Sequence, residues 1–289
     1  MTAVQPGGGP TVRRILLGSQ LRRLREQAGF SREEAGYVIR ASESKISRLE
    51  LGRVSFKMRD LQDLLTHYGV VEEQDRAALV NLALEANTPG WWRRFGDILP
   101  NWFEGYVGLE SAANQIRTFE VQLIPGLLQT ADYARAVTRL SHPNALDEDV
   151  ESRVSLRMAR QELLRQPKPP RLWAVIDESA LRRQFGGPAV MRAQLERLVA
   201  AAELPNVSLQ VLTFQQGGNP GLTGPFTVLR FDEPDLPDVV YLEQLTGALY
   251  IDKREEAEQY LEVMSRICVA SEPAQNTARI LKRIIEETQ

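Results

Sequence analysis

The chain has 289 residues, 43% hydrophobic and 25% charged: enough for two folded domains, and too balanced for a disordered, collagen-like or disulfide-rich protein. With one cysteine (Cys268) and two histidines (His67, His142), a disulfide, a multi-thiolate or histidine metal centre and a Ser/His/Asp triad are all poorly supported, and no metal, cofactor or catalytic residue is expected. The net charge of −3 divides unevenly, since residues 1–57 hold eleven Lys/Arg against five Glu (+6), leaving −9 on the remainder. A head of that sign suits a polyanion, or is simply a solvated basic face. No apolar run reaches the ~20 residues of a membrane span, and the absence of disulfide or signal peptide points to the cytoplasm, with association to the nucleoid when DNA is bound.

Residues 1–12, with Pro6, Gly7, Gly8, Gly9 and Pro10, read as a flexible arm. Leu17, Leu21 and Leu24 recur at helical spacing until Gly29 stops the first helix. Ser31 with Glu34 forms a capping box for a second, and Ser42 caps a third that Gly52 closes. A fourth helix is expected over Met58–Tyr68 and a fifth over Glu72–Ala86. Pro89 and Gly90 then break the chain, followed by Trp91, Trp92, Phe95, Trp102 and Phe103, which pack a core or frame a ligand. Beyond the break, helices are expected over Glu104–Ile116, Thr130–Leu140, Glu148–Gln166, Met191–Ala202, Arg254–Val269 and Pro273–Glu287. Strands are expected over Thr118–Ile124, Leu172–Ile176, Val207–Phe214, Pro225–Phe231 and Val239–Leu242. No internal repeat interrupts this order.

The segment Ser31–Glu50 carries the clearest chemistry. Two short helices crossing steeply need a small residue at the contact, and Gly36 stands there. With Ala35, Ile39, Ala41, Ile46 and Leu49 buried, the third helix turns Ser44, Ser47 and Arg48 outward, with Glu43 and Lys45 beside them. Such a face suits a major groove, and the amides that start the second and third helices can hold phosphates. Alternatively, Lys45 and Arg48 pair with Glu43 and Glu50 as exposed helix salt bridges.

Residues 15–70 resemble the helix-turn-helix domain of the phage repressor/Cro (Xre) type in three blocks: Leu21–Arg25, Ser31–Ala35 and Ser42–Gly52. The resemblance implies that Glu43, Ser44 and Arg48 face bases and that Arg32 and Arg53 approach the backbone; Lys45 and Ser47 join the base-facing set, and Ser42 and Lys57 the phosphate-facing set. Arg40 departs from the pattern, which often has a turn glycine there. The stretches Trp102–Ala113, Ile124–Ala136, Arg157–Gln161, Asp177–Arg183, Gly186–Met191 and Val240–Glu243 resemble the antitoxin-like Scr1-type domain of actinobacterial regulators, often encoded beside a small partner protein. The fold class expected is α+β, mostly α: a five-helix helix-turn-helix domain over 13–88, then a mixed α/β domain over 95–289.

Two functional classes follow. In one, a homodimer binds operator duplex DNA while the body senses a small protein encoded by a neighbouring gene or a small-molecule effector. In the other, an antitoxin-like protein neutralises that partner and binds DNA for autoregulation. Trp91, Trp92 and Trp102 are candidate anchors of the dimer. Trp102, Tyr106, Asp177, Glu178 and Tyr241 are the candidate ligand or partner residues, with capping of the next helix as the alternative for Asp177 and Glu178. Gly217–Gly224 reads as a hairpin loop or a weak phosphate signal, and Cys268 as a packed thiol rather than a nucleophile.

Overall fold

The computed structural model describes residues 10–287 except 53, 223 and 233–235. The chain divides into two compact units. The first holds residues up to Arg93 together with Glu104–Ala112 and the short stretch at Leu236; the second holds the rest.

The first unit is helical: α1 (Pro10–Gln27), α2 (Arg32–Val38), α3 (Glu43–Glu50), α4 (Met58–His67) and α5 (Glu73–Ala86), joined by most of α6 (Asn101–Ala112). Helix α1 starts earlier than its leucine spacing predicts. Pro10 needs no donor at a helix start, and Thr11 and Val12 are buried rather than part of an arm. The remainder of the expected arm, 1–9, lies outside the described residues. Leu17 and Leu21 of α1, Ile46 and Leu49 of α3, Leu61 and Leu65 of α4 and Leu79 and Ala83 of α5 form one core. Burying each such leucine contributes about 1.5–3 kcal/mol. Helix α1 passes so close to the end of α3 that a Cβ on Gly18 would stand 2.5 Å from the Leu49 and Glu50 carbonyl oxygens.

The second unit is built on a six-stranded mixed sheet of order β3-β2-β1-β4-β5-β6. Its strands are β1 (Gln115–Glu120), β2 (Arg171–Asp177), β3 (Val207–Leu212), β4 (Phe226–Arg230), β5 (Val239–Gln244) and β6 (Gly247–Ile251). β1, β2 and β3 are parallel; β4, β5 and β6 follow antiparallel. Between them run α7 (Ala131–Ser141), α8 (Asp147–Gln161), α9 (Glu178–Arg182) and α10 (Pro188–Ala201), with α11 (Arg254–Ala270) and α12 (Thr277–Glu287) last. On one face Phe119, Val175, Phe226, Val228 and Val240 pack against Ala257, Met264 and Ile267 of α11. Helix α12 packs on β3 and α10, and α10 on α7. Gln194 of α10, fully buried, ties the turn before α7: it accepts from Thr130 N (2.7 Å) and donates to Leu128 O (2.9 Å).

Four expectations shift here. Helix α6 ends four residues earlier than its periodicity predicts, and β1 occupies Gln115–Glu120 instead of Thr118–Ile124. Pairing decides this, because Ile116 and Phe119 are the residues the sheet buries. β6 is a strand the sequence reading lacks: its hairpin turns through Leu245 and Thr246, which carry none of the Gly or Asn chemistry of a two-residue turn. The glycine-rich stretch Gly217–Gly224 is no hairpin, since β3 and β4 are separated by β2 and β1.

Candidate nucleic-acid interface

Helix α2 begins on a complete capping box. Ser31 N donates to Glu34 Oε2 (2.7 Å), and Glu34 N donates to Ser31 Oγ (3.1 Å). The Ser31 N–H, and after it the Ser31 hydroxyl, which donates to the same oxygen (2.8 Å), hold the Glu34 carboxyl below its ordinary pKa. At the crossing with α3, a Cβ on Gly36 would stand 2.7 Å from Ala41 O, so only glycine fits. The turn then needs a left-handed residue, and Arg40 supplies it at φ 53°. A non-glycine residue there costs about 1–2 kcal/mol. Ser42 caps α3 by accepting from Lys45 N (3.3 Å), a use of its hydroxyl within the chain.

Helix α3 buries Ile46, Leu49 and Glu50 and exposes Glu43, Ser44 and Arg48, with Ser47 and Lys45 half-buried. Arg48 Nε lies back along the helix on Ser44 O (3.3 Å), within reach of solvent. Lys45 is committed elsewhere: its Nζ donates to Asp60 Oδ2 of α4 (2.7 Å). Of the residues expected to face phosphates, Lys57 is exposed just before α4, Arg32 is half-buried, and Arg53 lies outside the described residues.

Glu50 is not part of an exposed salt bridge with Lys45 or Arg48. It is 5% exposed and accepts from Arg25 Nε (2.5 Å) and Nη2 (3.2 Å), while Arg32 Nε donates to it at 3.1 Å. Arg25 Nη1 also donates to Phe30 O (2.7 Å), and the Glu50 hydrogen bond holds the guanidinium above its ordinary pKa. This buried fork joins α1, the start of α2 and the end of α3. Sequence spacing offers no signal for it, because Arg25 and Glu50 stand 25 positions apart.

A family model described as a helix-turn-helix domain matches residues 16–79. A second, described as a domain of unknown function (DUF5753), matches residues 103–283, more than half of the chain. The chain belongs to the DUF5753 family. Its head is thus a helix-turn-helix domain of the kind found in DNA-binding regulators, followed by the DUF5753 domain. No curated protein and no solved structure matches the chain.

Two of the expected ligand residues, Asp177 and Glu178, are engaged within the chain. Asp177 caps α9, accepting from Ser179 N (2.9 Å) and Ser179 Oγ (2.6 Å). Glu178 is buried and accepts from Phe214 N (2.9 Å) and Arg182 Nε (2.7 Å). Both carboxylates hold backbone in place. Tyr106 is buried and follows Trp102 by one turn of α6. Tyr241 Oη donates to Glu243 Oε2 (3.0 Å) and its ring packs edge-on against Tyr250, whose hydroxyl donates to Trp102 O.

The tryptophans proposed as dimer anchors are engaged within the chain. Trp92 is buried and its indole donates to Glu104 Oε1 (3.2 Å), which removes it from any partner surface; Trp91 Nε1 donates to Ser111 Oγ (3.2 Å). Cys268 is half-buried, and burial raises its thiol pKa, away from nucleophilic use. Among the described residues no group of His, Cys, Asp and Glu is placed to hold a metal, and no helix is long and apolar enough to cross a membrane.

Proposed function

We propose that this DUF5753 protein is a sequence-specific transcriptional regulator of the phage-repressor type that reads an operator with α3. One observation carries the reading. A short helix, capped by Ser42 and seated on a buried ion cluster, presents Glu43, Ser44 and Arg48 to solvent from the most basic part of the chain. Arg48 donates to base edges, guanine best matching a guanidinium fork. Ser44 bonds to either base type, and Glu43 accepts from a cytosine amino group. Arg32 and Lys57 meet phosphates. Lys45, held by Asp60, supports the helix rather than reading bases. The protein acts as a homodimer on two half-sites, and the DUF5753 domain, of the antitoxin-like Scr1 type, senses a small ligand or partner protein without catalysing a reaction on it.

The test is competition binding at fixed salt. Arg48→Ala should cost about 1–3 kcal/mol on the preferred operator and relax discrimination at one or two base pairs, while Lys57→Ala should weaken all sequences alike. An Arg48→Ala protein that keeps its full base preference would remove α3 from the reading role.

A further inference from the structure

The carboxylate of Glu50 accepts from two arginines, and the two meet it differently. Arg25 comes edge-on from inside the head, with Nε on Oε1 (2.5 Å) and Nη2 on Oε2 (3.2 Å). Such a bidentate pair is strong and neutralises the carboxylate. Arg32, at the start of α2, gives the same carboxylate a single hydrogen bond, Nε to Oε2 (3.1 Å). Two guanidinium charges against one carboxylate leave the cluster at +1. Its solvent-reached member is Arg32, with 35% of the side chain exposed against 7% for Arg25 and 3% for Glu50.

Both ends of the Arg32 side chain are fixed. Its backbone follows Phe30 and Ser31. Phe30 is tied twice to Arg25, whose Nη1 donates to Phe30 O (2.7 Å) and whose carbonyl accepts from Phe30 N (3.1 Å), and Ser31 is locked by its capping box. Glu50 fixes the far end. A long side chain loses rotamer freedom when it grips a partner, and ordering it beforehand removes that cost from binding. The guanidinium is planar and carries five N–H groups. Spending the Nε–H on Glu50 leaves the four on Nη1 and Nη2, a pair of donors that takes a phosphate in a bidentate grip. Among the described residues no other hydrogen bond or ion pair of Arg32 competes for them. A carboxylate beside a phosphate-binding arginine ordinarily weakens it by offsetting its charge. Here the buried Arg25 balances the carboxylate, so Glu50 directs Arg32 without removing its charge.

We propose that Glu50 is a positioning residue for DNA binding: from the interior it aims the Arg32 guanidinium so that the two Nη groups close on one backbone phosphate of the duplex. This rests on the reading of the head as a DNA-binding domain and adds the residue that sets its phosphate grip.

The test is a double-mutant cycle on the full chain. Affinity is measured for a mixed-sequence duplex of about 30 base pairs, long enough for two half-sites one turn apart, over a range of salt. Arg32→Ala should weaken binding about tenfold and lower the slope of log affinity against log salt by about one for each chain bound. Glu50→Gln keeps the shape but turns an acceptor into a donor. It should weaken binding by a similar factor in the parent chain, and by less than about twofold once Arg32 is alanine. Arg32→Lys leaves the buried pair untouched and keeps the charge, yet an ammonium has no second edge to share between carboxylate and phosphate. It should hold the salt slope and still bind at least about threefold more weakly than the parent. Equal losses from Glu50→Gln with and without Arg32 overturn the proposal. So does an Arg32→Ala or an Arg32→Lys chain that binds like the parent. Should Glu50→Gln fail to fold, the Arg32→Lys comparison decides alone. Base preference in Arg48→Ala separates the two ideas. Coupling between Glu50 and Arg32 with base preference kept leaves the phosphate grip without α3 as reader; additive losses with base preference relaxed leave α3 without the grip.

Discussion

Glu50 brings together two arginines from different helices while only 5% exposed, and its loss leaves the buried Arg25 charge without its main counter-charge. Arg25, 6% exposed, would keep its guanidinium in the interior with Phe30 O (2.7 Å) and the longer contact to Glu26 Oε1 (3.4 Å) as its acceptors. Breaking a buried pair from one side costs about 3–5 kcal/mol, more than removing both partners together. Glu50→Ala should therefore destabilise the head by about that amount in chemical denaturation, whereas Glu50→Ala combined with Arg25→Met should cost clearly less. Equal losses in the single and double variants would mean that the fork is no more than a surface ion pair. A lesser strain sits at Arg40, whose left-handed backbone the turn demands and whose charge remains exposed.

At the scale of elements, β1 combines apolar positions that bury and a carboxylate at its end that should not. Ile116 and Phe119 are 1% and 0% exposed, and Glu120 follows them into the protein. Its folded pKa of about 8 lies above the ordinary carboxylate value of 4.5. The folded state thus binds more protons than the unfolded chain between these values, and stability falls as pH rises through that window. Below about 4.5 both states are protonated and the effect is level; above about 8 both are ionised and the loss is complete. We expect denaturation of the second unit to show a stability that declines from pH 5 to pH 8, and Glu120→Gln to flatten that decline while leaving the fold intact. A variant that keeps the wild-type slope would assign it to another group. Elements such as α2 and α3 behave differently: their caps are local, and Glu34, held low by Ser31, adds stability that is lost only in acid.

The whole molecule joins a +6 segment of 57 residues to a remainder of −9. Such a polarity should give DNA binding by the head a steep salt dependence. One head of this size reads only a few base pairs, so useful affinity calls for two heads on half-sites about one helical turn apart. Sedimentation of the full chain with an operator duplex should show two chains per duplex, and the logarithm of affinity should fall linearly with the logarithm of salt. A single chain per duplex at micromolar concentration counts against the dimer. Its contact surface is not the indole of Trp92, which is spent inside the chain.

The amino-acid sequence by itself determined the features that a few neighbouring residues settle: the Ser31–Glu34 box, the Ser42 cap, the glycine crossing at Gly36, the outward Glu43, Ser44 and Arg48, and the mixed α/β character of the longer region. Each depends on propensity or periodicity within a turn or two of helix. Only the tertiary structure decided the rest. Which strands pair, that β4 returns beside β1, that Glu104–Ala112 belongs with the head, and that Glu50 meets Arg25 depend on contacts between distant positions. The same holds for Lys45, drawn to Asp60, and for Asp177 and Glu178, spent on backbone. Charge and hydropathy mark such residues as polar and no more; what each one meets follows from chain packing, which no local pattern encodes.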